Sequence, residues 1–381
     1  MENSIDKNSI NVSELQDTIN ILSKESNISK WDLGASSSVD LSVQVDNGVA
    51  KQLKASQKHS LTIRVWNSED SVGITSTSDI SKNGLRKALK GAKDASQYGN
   101  KNESPQFSIS CKEPLPKLDI NIIKTVGIQK LYELLSKAEC QLLNSDKNID
   151  SVPYNGLAES SLERIYLNSD YSFRQMKVSQ ASIYLYSKAQ ENDRKPRSSG
   201  AIRIANGVKE LDINGCIREA SSRTLSHLNY QPIDTGKYLV CFTPEAFLDL
   251  IGAFSSIFNA RSILDGISLS NKESIGQQLS VPELSIYDYA LHPSNIGTFN
   301  FDGEGTPKQK ITLVENGILK NLLHSEATAR EFGVKPTGHA GLGSKVSVSP
   351  DWFVISNESK SEKKENSLDH ITYDQKFILI E

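Results

Sequence analysis

A strand followed by an apolar helix is the strongest local pattern in the sequence, and it spans residues 238–265, YLVCFTPEAFLDLIGAFSSIFNARSILD. The apolar run 238–242 predicts a buried strand. Thr243 can cap the helix that follows, and Pro244 suits the first helical position, where its missing N–H costs nothing. Apolar residues then recur near every 3.6 positions, so we expect this helix, the most apolar of the chain, to lie in the core. Its apolar face carries Phe247, Ile251, Phe254 and Phe258.

The same helix contains no imidazole and no thiol, and its only acids before the stop at Asp265 are Glu245 and Asp249. A helical zinc peptidase needs two imidazoles one turn apart and a carboxylate that activates water. No H-E-x-x-H or related pair occurs in the sequence. The residues therefore assign no metal ligand and no catalytic residue to this chain.

Composition describes a globular protein large enough for two domains, with 381 residues, 37% hydrophobic and 23% charged. A net charge of −3 gives no support to nucleic-acid binding. No apolar run approaches the length of a membrane span, and the polar N-terminus lacks a signal-peptide core. The four cysteines are scattered without a C-x-x-C pair, which is typical of free thiols in a reducing cytosol. They are Cys111, Cys140, Cys216 and Cys241.

Alternating apolar residues in the first half of the chain predict an antiparallel sheet with packed helices. The run 41–45 leads into Asn47-Gly48, which favours a two-residue hairpin turn. Further strands are expected over 61–65 and 72–74, then over 162–186 and 202–204. Amphipathic patterns predict helices over 12–23, 81–98, 128–140 and 213–228.

The second half is β-rich, and its clearest feature is a hairpin over 311–319 with Asn316-Gly317 at the turn. A short helical turn over 325–332, a glycine-rich loop over 337–344 and a charged low-complexity loop over 356–367 follow. We therefore predict an α+β fold with an N-terminal domain over 1–225 and a β-rich domain over 226–381.

Two glycine-rich segments resemble ligand loops but fit other roles better. Residues 302–305, DGEG, offer too few oxygen ligands for a calcium loop, which favours a tight turn between strands. Residues 338–343, GHAGLG, lack the sequence of a phosphate loop, so a mobile or partner-contacting loop is favoured. His324 and His339 would need a third ligand to hold zinc, which favours a structural or surface role.

Several segments together resemble the TldD/PmbA family, once named modulators of DNA gyrase. No single segment is specific, but their order and spacing suit the family over nearly the whole chain. The segments are GITSTSD at 73–79 with the helix after it, FDGEG at 301–305, VENGIL at 314–319, and ATA at 327–329 with Thr337-Gly338.

The resemblance implies a cytosolic two-subunit metallopeptidase that cleaves unfolded peptides inside a closed chamber. In the catalytic TldD branch an H-E-x-x-x-H helix carries the zinc ligands, and the matching positions here, 252–257, read GAFSSI. The chain therefore resembles the PmbA (TldE) branch, whose members lack the motif and pair with TldD. The implied role is a non-catalytic subunit without its own cofactor, beside a TldD-like partner that carries zinc.

For that role we expect a groove for peptide or partner at the two glycine-rich segments and the nearby histidines. Its residues are Asp302, Gly303, Glu304, Gly305, His324, Thr337, Gly338 and His339. A second interpretation is a stand-alone homodimeric peptide-binding protein without peptidase activity. DNA interaction ranks last, because the charge is −3 and no basic stripe is present. The family often continues past Phe377–Glu381 into further β structure, so we expect a C-terminal sheet that is either naturally short or incomplete.

Overall fold

The computed structural model divides the chain into two compact units, called unit 1 and unit 2 below. Unit 1 comprises Met1–Lys101, Lys117–Gln231 and Pro293–Phe299, and unit 2 comprises Asn102–Pro116, Pro232–His292 and Asn300–Glu381. The structure describes residues 10–101, 104–118, 122–191, 194–343, 345–357 and 377–381. Most of the predicted charged loop over 356–367 lies outside these residues.

Unit 1 is built on a six-stranded antiparallel sheet with the strand order β3-β2-β1-β4-β5-β6. The strands are β1 (Lys30–Asp46), β2 (Val49–Trp66), β3 (Val72–Thr77), β4 (Ile149–Asn168), β5 (Phe173–Ala189) and β6 (Arg197–Ala205). The predicted hairpin turn joins β1 to β2, and Asn47 and Gly48 have φ of 50° and 76°. Two successive positive φ values are what a type I′ turn requires.

Four helices pack on one face of this sheet and confirm the predicted helices. They are α1 (Val12–Glu25), α2 (Lys82–Ser96), α3 (Ile128–Leu143) and α4 (Ile213–Ser226). Side chains of Asn11, Ser81 and Asp212 accept backbone N–H groups at the starts of α1, α2 and α4, which explains where these helices begin. Leucines and isoleucines beneath α1 and α2, and others beneath α3 and α4, form two buried apolar clusters.

A buried ion pair links adjacent strands of unit 1. Arg64 on β2 and Asp32 on β1 are register partners, and both side chains are 0% exposed. Arg64 Nε donates to Asp32 Oδ1 at 2.8 Å, and the hydroxyl of Tyr166 on β4 donates to Asp32 Oδ2 at 3.1 Å. Three neighbouring strands thus meet at one carboxylate, which fixes their register.

Unit 2 contains a four-stranded antiparallel sheet with the order β10-β9-β8-β11. The strands are β8 (Leu284–Tyr289), β9 (Lys310–Glu315), β10 (Ile318–Leu319) and β11 (Phe353–Asn357). The predicted hairpin over 311–319 is confirmed, with Asn316 and Gly317 at φ of 49° and 78°. A short helix, α7 (Glu326–Phe332), follows and ends at Gly333 in the left-handed region.

The segment 238–265 differs from its prediction. Its strand, β7 (Leu239–Phe242), is largely exposed and pairs in parallel with β12 (Phe377–Ile380). Its helix, α5 (Pro244–Ala253), begins at the predicted Thr243 cap but contains no buried residue. The chain then forms a 3-10 turn (Ser255–Phe258) and a short helix, α6 (Ala260–Leu264).

The expectation of a buried strand and a core helix was therefore wrong. Of the four residues predicted to form the inward face, Phe258 is buried beyond the end of α5, Ile251 packs against the core of unit 2 while only partly buried, and Phe254 is exposed. Periodicity identifies which side of a helix is apolar, but it does not show whether other residues cover that side. The α+β class itself is confirmed, and no described helix combines the length and the apolar character of a membrane span.

We predict that Arg64→Ala lowers the free energy of unfolding by about 3–5 kcal/mol, because Asp32 is left buried without its cation. Urea unfolding followed by circular dichroism measures the loss. Arg86→Ala is the matched control, since Arg86 pairs with Glu25 on the surface at 3.3 Å. The free energy of unfolding of Arg86→Ala should fall by about 1 kcal/mol or less. Equal losses in the two variants would contradict a special role for the buried pair.

Candidate functional site

The predicted turn over 302–305 and the predicted loop over 337–344 lie against each other in unit 2. The Gly303 N–H donates to Ala340 O at 2.8 Å, and the Ala340 N–H donates to Asp302 Oδ2 at 2.9 Å. Asp302 Oδ1 accepts the N–H groups of Glu304 and Thr306, each at 2.9 Å. Both carboxylate oxygens are thus engaged by the backbone, which gives this acidic segment the character of a tight turn.

Asp302 is fully buried, and its ionisation reflects two opposing influences. Burial raises the pKa of its carboxyl group, because the charged form loses contact with water. The N–H donors of its turn, the Ala340 N–H and the ammonium of Lys308 act in the opposite direction. The next acid along, Glu304, is also buried and accepts the N–H of Glu326 at the start of α7.

His324 lies just before α7 with its ring buried. Its backbone N–H donates to Thr337 Oγ1 at 2.7 Å, and its Nδ1 lies 3.3 Å from Thr328 Oγ1. The ring of Phe332 packs edge-on at 5.1 Å between centroids. Burial lowers the pKa of His324 to about 4, so the imidazole is neutral at pH 7.

His339 is the centre of a second polar group that the sequence did not indicate. Its Nδ1 lies 2.9 Å from Thr337 Oγ1, and its Nε2 lies 3.0 Å from Asp288 Oδ1 and 3.4 Å from Asp351 Oδ2. Lys308 forms a further ion pair with Asp351. The only available signal for Asp288 was an acid that interrupts the apolar strand pattern of residues 284–290.

The structure brings the predicted groove residues together, but their side chains are mostly buried. Asp302, Glu304, His324, Thr337 and His339 contact one another or the backbone of unit 2. Their contact with a peptide or a partner stays a prediction.

Positions 252–257, which the family resemblance suggested as the counterpart of a zinc-bearing helix, lie at the end of α5 and in the 3-10 turn after it. Glycine, alanine, phenylalanine, serine and isoleucine supply no imidazole, thiolate or carboxylate there. A zinc ion therefore does not fit this part of the chain. Within the described residues, one group of three side chains could hold a metal ion, and it consists of Asp288, His339 and Asp351.

Exposed apolar side chains on β7, on and just after α5, and on β12 are the other notable feature of unit 2, and they are called the α5 face below. The large ones are 36–47% exposed. They are Leu239, Val240, Phe242, Leu248, Leu250, Phe254, Phe377, Leu379 and Ile380. Exposed apolar side chains mark interaction surfaces where they form one patch.

Three models of one protein family match the chain. The PmbA/TldA metallopeptidase domain 1 matches residues 31–96, the central domain matches 121–228, and the C-terminal domain matches 235–380. The chain belongs to the PmbA/TldD family.

Two relatives illustrate how much of a family member the chain spans. Metalloprotease PmbA of Escherichia coli O157:H7 is 24% identical over 321 residues, which are 81% of this chain and 69% of that protein. A metalloprotease of Methanocaldococcus jannaschii is 26% identical over 273 residues, which are 70% of this chain and 58% of that protein. The chain thus spans roughly three fifths to two thirds of these relatives.

Two solved structures share the fold. One, from Thermotoga maritima and described as a modulator of a DNA gyrase, has a TM-score of 0.79 and 22% identity over 90% of this chain and 77% of its own. The other, TldE from Thermococcus kodakarensis, has a TM-score of 0.75 and 18% identity over 95% of this chain and 80% of its own.

We predict that His324 makes stability depend on pH between 7 and 5. Its folded pKa of about 4 lies below the ordinary value of 6.5, so the unfolded chain binds a proton that the folded chain excludes. This stability is present above pH 6.5 and is lost as the pH falls towards 4.

Between pH 7 and pH 5, the free energy of unfolding of wild type should fall by about 2 kcal/mol more than that of His324→Gln. Urea unfolding at both pH values measures the difference. Glutamine keeps a polar group near Thr328 without a titrating ring. If the two proteins lose stability in parallel, His324 is not the group responsible.

Proposed function

We propose that the chain is a non-catalytic subunit of a TldD/PmbA-type metallopeptidase, which forms a peptide chamber with a TldD-like catalytic partner. One observation carries this proposal. The chain has the family fold, yet the positions matched to the zinc-bearing helix supply no ligand for a metal ion. Its partner then supplies the zinc that activates water, and this chain contributes binding and enclosure.

The α5 face supports the need for a partner. An apolar helix without a buried residue gains free energy when another surface covers it, by roughly 25 cal/mol per Å2 of apolar area removed from water. The face lies in the same segment that carries the metal ligands in the catalytic branch. Covering it would therefore bring a second subunit next to the matched helix.

The small sheet of β7 and β12 suits an extended peptide. Each of these strands pairs only with the other among the described residues, so each leaves one edge with unpaired N–H and C=O groups. An extended chain can add to such an edge through main-chain hydrogen bonds. In contrast, the edge strand β6 has carbonyls of Ser199 and Ala201 engaged by Thr224 and Cys216 of α4.

The apolar α5 face also suits a second function, a homodimeric peptide-binding protein without peptidase activity. A C2 dimer buries the same patch on both subunits, and the apolar side chains of the α5 face can pack against their own copies. The four cysteines are free, which supports a reducing cytosol for either assembly.

Mixing the purified chain with the TldD-like protein of the same organism tests the proposal. We predict a stable complex by size exclusion with light scattering, and chelator-sensitive cleavage of an unfolded peptide that rises with added chain until the partner is saturated. A homodimeric peptide-binding protein would instead form homodimers that do not bind the TldD-like protein. A partner that is fully active alone and forms no complex contradicts the subunit role.

We predict that Phe254→Glu weakens assembly through the α5 face at least tenfold, because a charge replaces an aromatic contact that should become buried, a change worth about 2 kcal/mol or more. The dissociation constant is measured by analytical ultracentrifugation. Ile21→Glu is the matched control, since Ile21 lies on α1 in unit 1 and is 49% exposed. Equal weakening by both variants would place the interface elsewhere.

A further inference from the structure

We propose that Asp288, His339 and Asp351 form a binding site for a divalent first-row transition-metal ion. The site is separate from positions 252–257, and it departs from the expectation of a chain without its own metal. One donor atom from each residue lies within 4.8 Å of the others. The proposal of a metal site is independent of the subunit role, because metal binding is measured on the isolated chain.

The donor atoms already have nearly the spacing of a coordination shell. His339 Nε2 lies 3.0 Å from Asp288 Oδ1 and 3.4 Å from Asp351 Oδ2. Neighbouring donors around a tetrahedral ion with bonds of about 2.0–2.2 Å are about 3.3–3.6 Å apart. For these two distances, shifts of a few tenths of an ångström suffice, and the two carboxylate oxygens lie within 4.8 Å of each other. One imidazole and two carboxylates are ligands that suit Zn²⁺ and Mn²⁺.

Hydrogen bonds on the far sides of these ligands hold them in this orientation. The Thr337 hydroxyl accepts the His324 N–H at 2.7 Å and donates to His324 O at 3.1 Å. Its remaining lone pair can accept from His339 Nδ1 at 2.9 Å, which leaves Nε2 as a lone-pair donor. Asp288 Oδ2 accepts the Asp351 N–H at 2.8 Å. Partners of this kind fix the tautomer and the angle of metal ligands.

The charges around the cluster suit a bound cation. The carboxylates of Asp288 and Asp351 both face His339 Nε2, and Lys308 forms an ion pair with Asp351. Buried carboxylates are costly unless a positive charge lies beside them, and a divalent ion held between the two would supply it.

Lys308 does not close the site. A carboxylate oxygen has two lone pairs, so Asp351 Oδ2 can accept from the ammonium and also face the ion. The side chains of Asp288 and His339 are 0% exposed, but that of Asp351 is 24% exposed, which leaves one side for entry and for a bound water. A bound ion would link β8 to the segments around residues 339 and 351.

Zinc titration of the full chain, freed of metal by a chelator and followed by calorimetry and elemental analysis, tests this site. We predict one equivalent of Zn²⁺ and a higher thermal unfolding midpoint with Zn²⁺ present. His339→Gln and Asp351→Asn should each lower the affinity at least about tenfold. His227→Gln, which removes an exposed imidazole at the end of α4 in unit 1, should bind as wild type does.

Two results would overturn the site. In one, wild type binds less than stoichiometric zinc at saturating metal, which means that Lys308 and the hydrogen bonds of the cluster complete it without a metal ion. In the other, Asp351→Asn binds as wild type does, or Cys140→Ser abolishes binding, which assigns the metal to other groups. If His339→Gln does not fold by circular dichroism, Asp351→Asn carries the test, because its side chain is partly exposed.

Discussion

Buried carboxylates that accept backbone N–H groups hold the loops of both units. In unit 1, Glu159 accepts two such groups at the start of α3, and Glu139 accepts two in the turn between β1 and β2. In unit 2, Asp302 accepts three within and beside its turn. Hydrogen bonds to an ionised acceptor are about twice as strong as neutral ones, and a buried anion without donors is costly. From composition alone, acidic residues are expected at the surface, but these acids are buried and fix the loops.

Local chemistry explains why much of the fold could be predicted from the sequence. Both Asn-Gly hairpins form because their turns require two residues with positive φ, which Asn and Gly can adopt. Such a turn is determined by four consecutive residues, so the sequence alone indicates it. Helices α1 to α4 follow from apolar periodicity, and α1, α2 and α4 also have capping side chains. The tight turn at Asp302 could be predicted for a similar reason, since its donors lie two and four residues along the chain.

Contacts between distant segments could not be predicted in this way. The α5 pattern indicated an apolar face, but its exposure depends on the absence of covering residues, which no local pattern contains. The group around His339 joins residues 288, 339 and 351 from a strand and two later segments. Each is an ordinary polar residue in its own neighbourhood, and only the folded sheet places the three donor atoms together. A lone histidine was therefore assigned a structural or surface role.

In the proposed function this chain contributes enclosure and a partner performs hydrolysis, because positions 252–257 offer no metal ligand. If that separation holds, the cluster around His339 can bind a metal ion without cleaving a peptide bond. Incubating the isolated full chain with an unfolded peptide and saturating Zn²⁺, then analysing the peptide by mass spectrometry, tests this most directly. We predict that the peptide remains intact. Chelator-sensitive cleavage by the chain alone would contradict the assignment of hydrolysis to a partner.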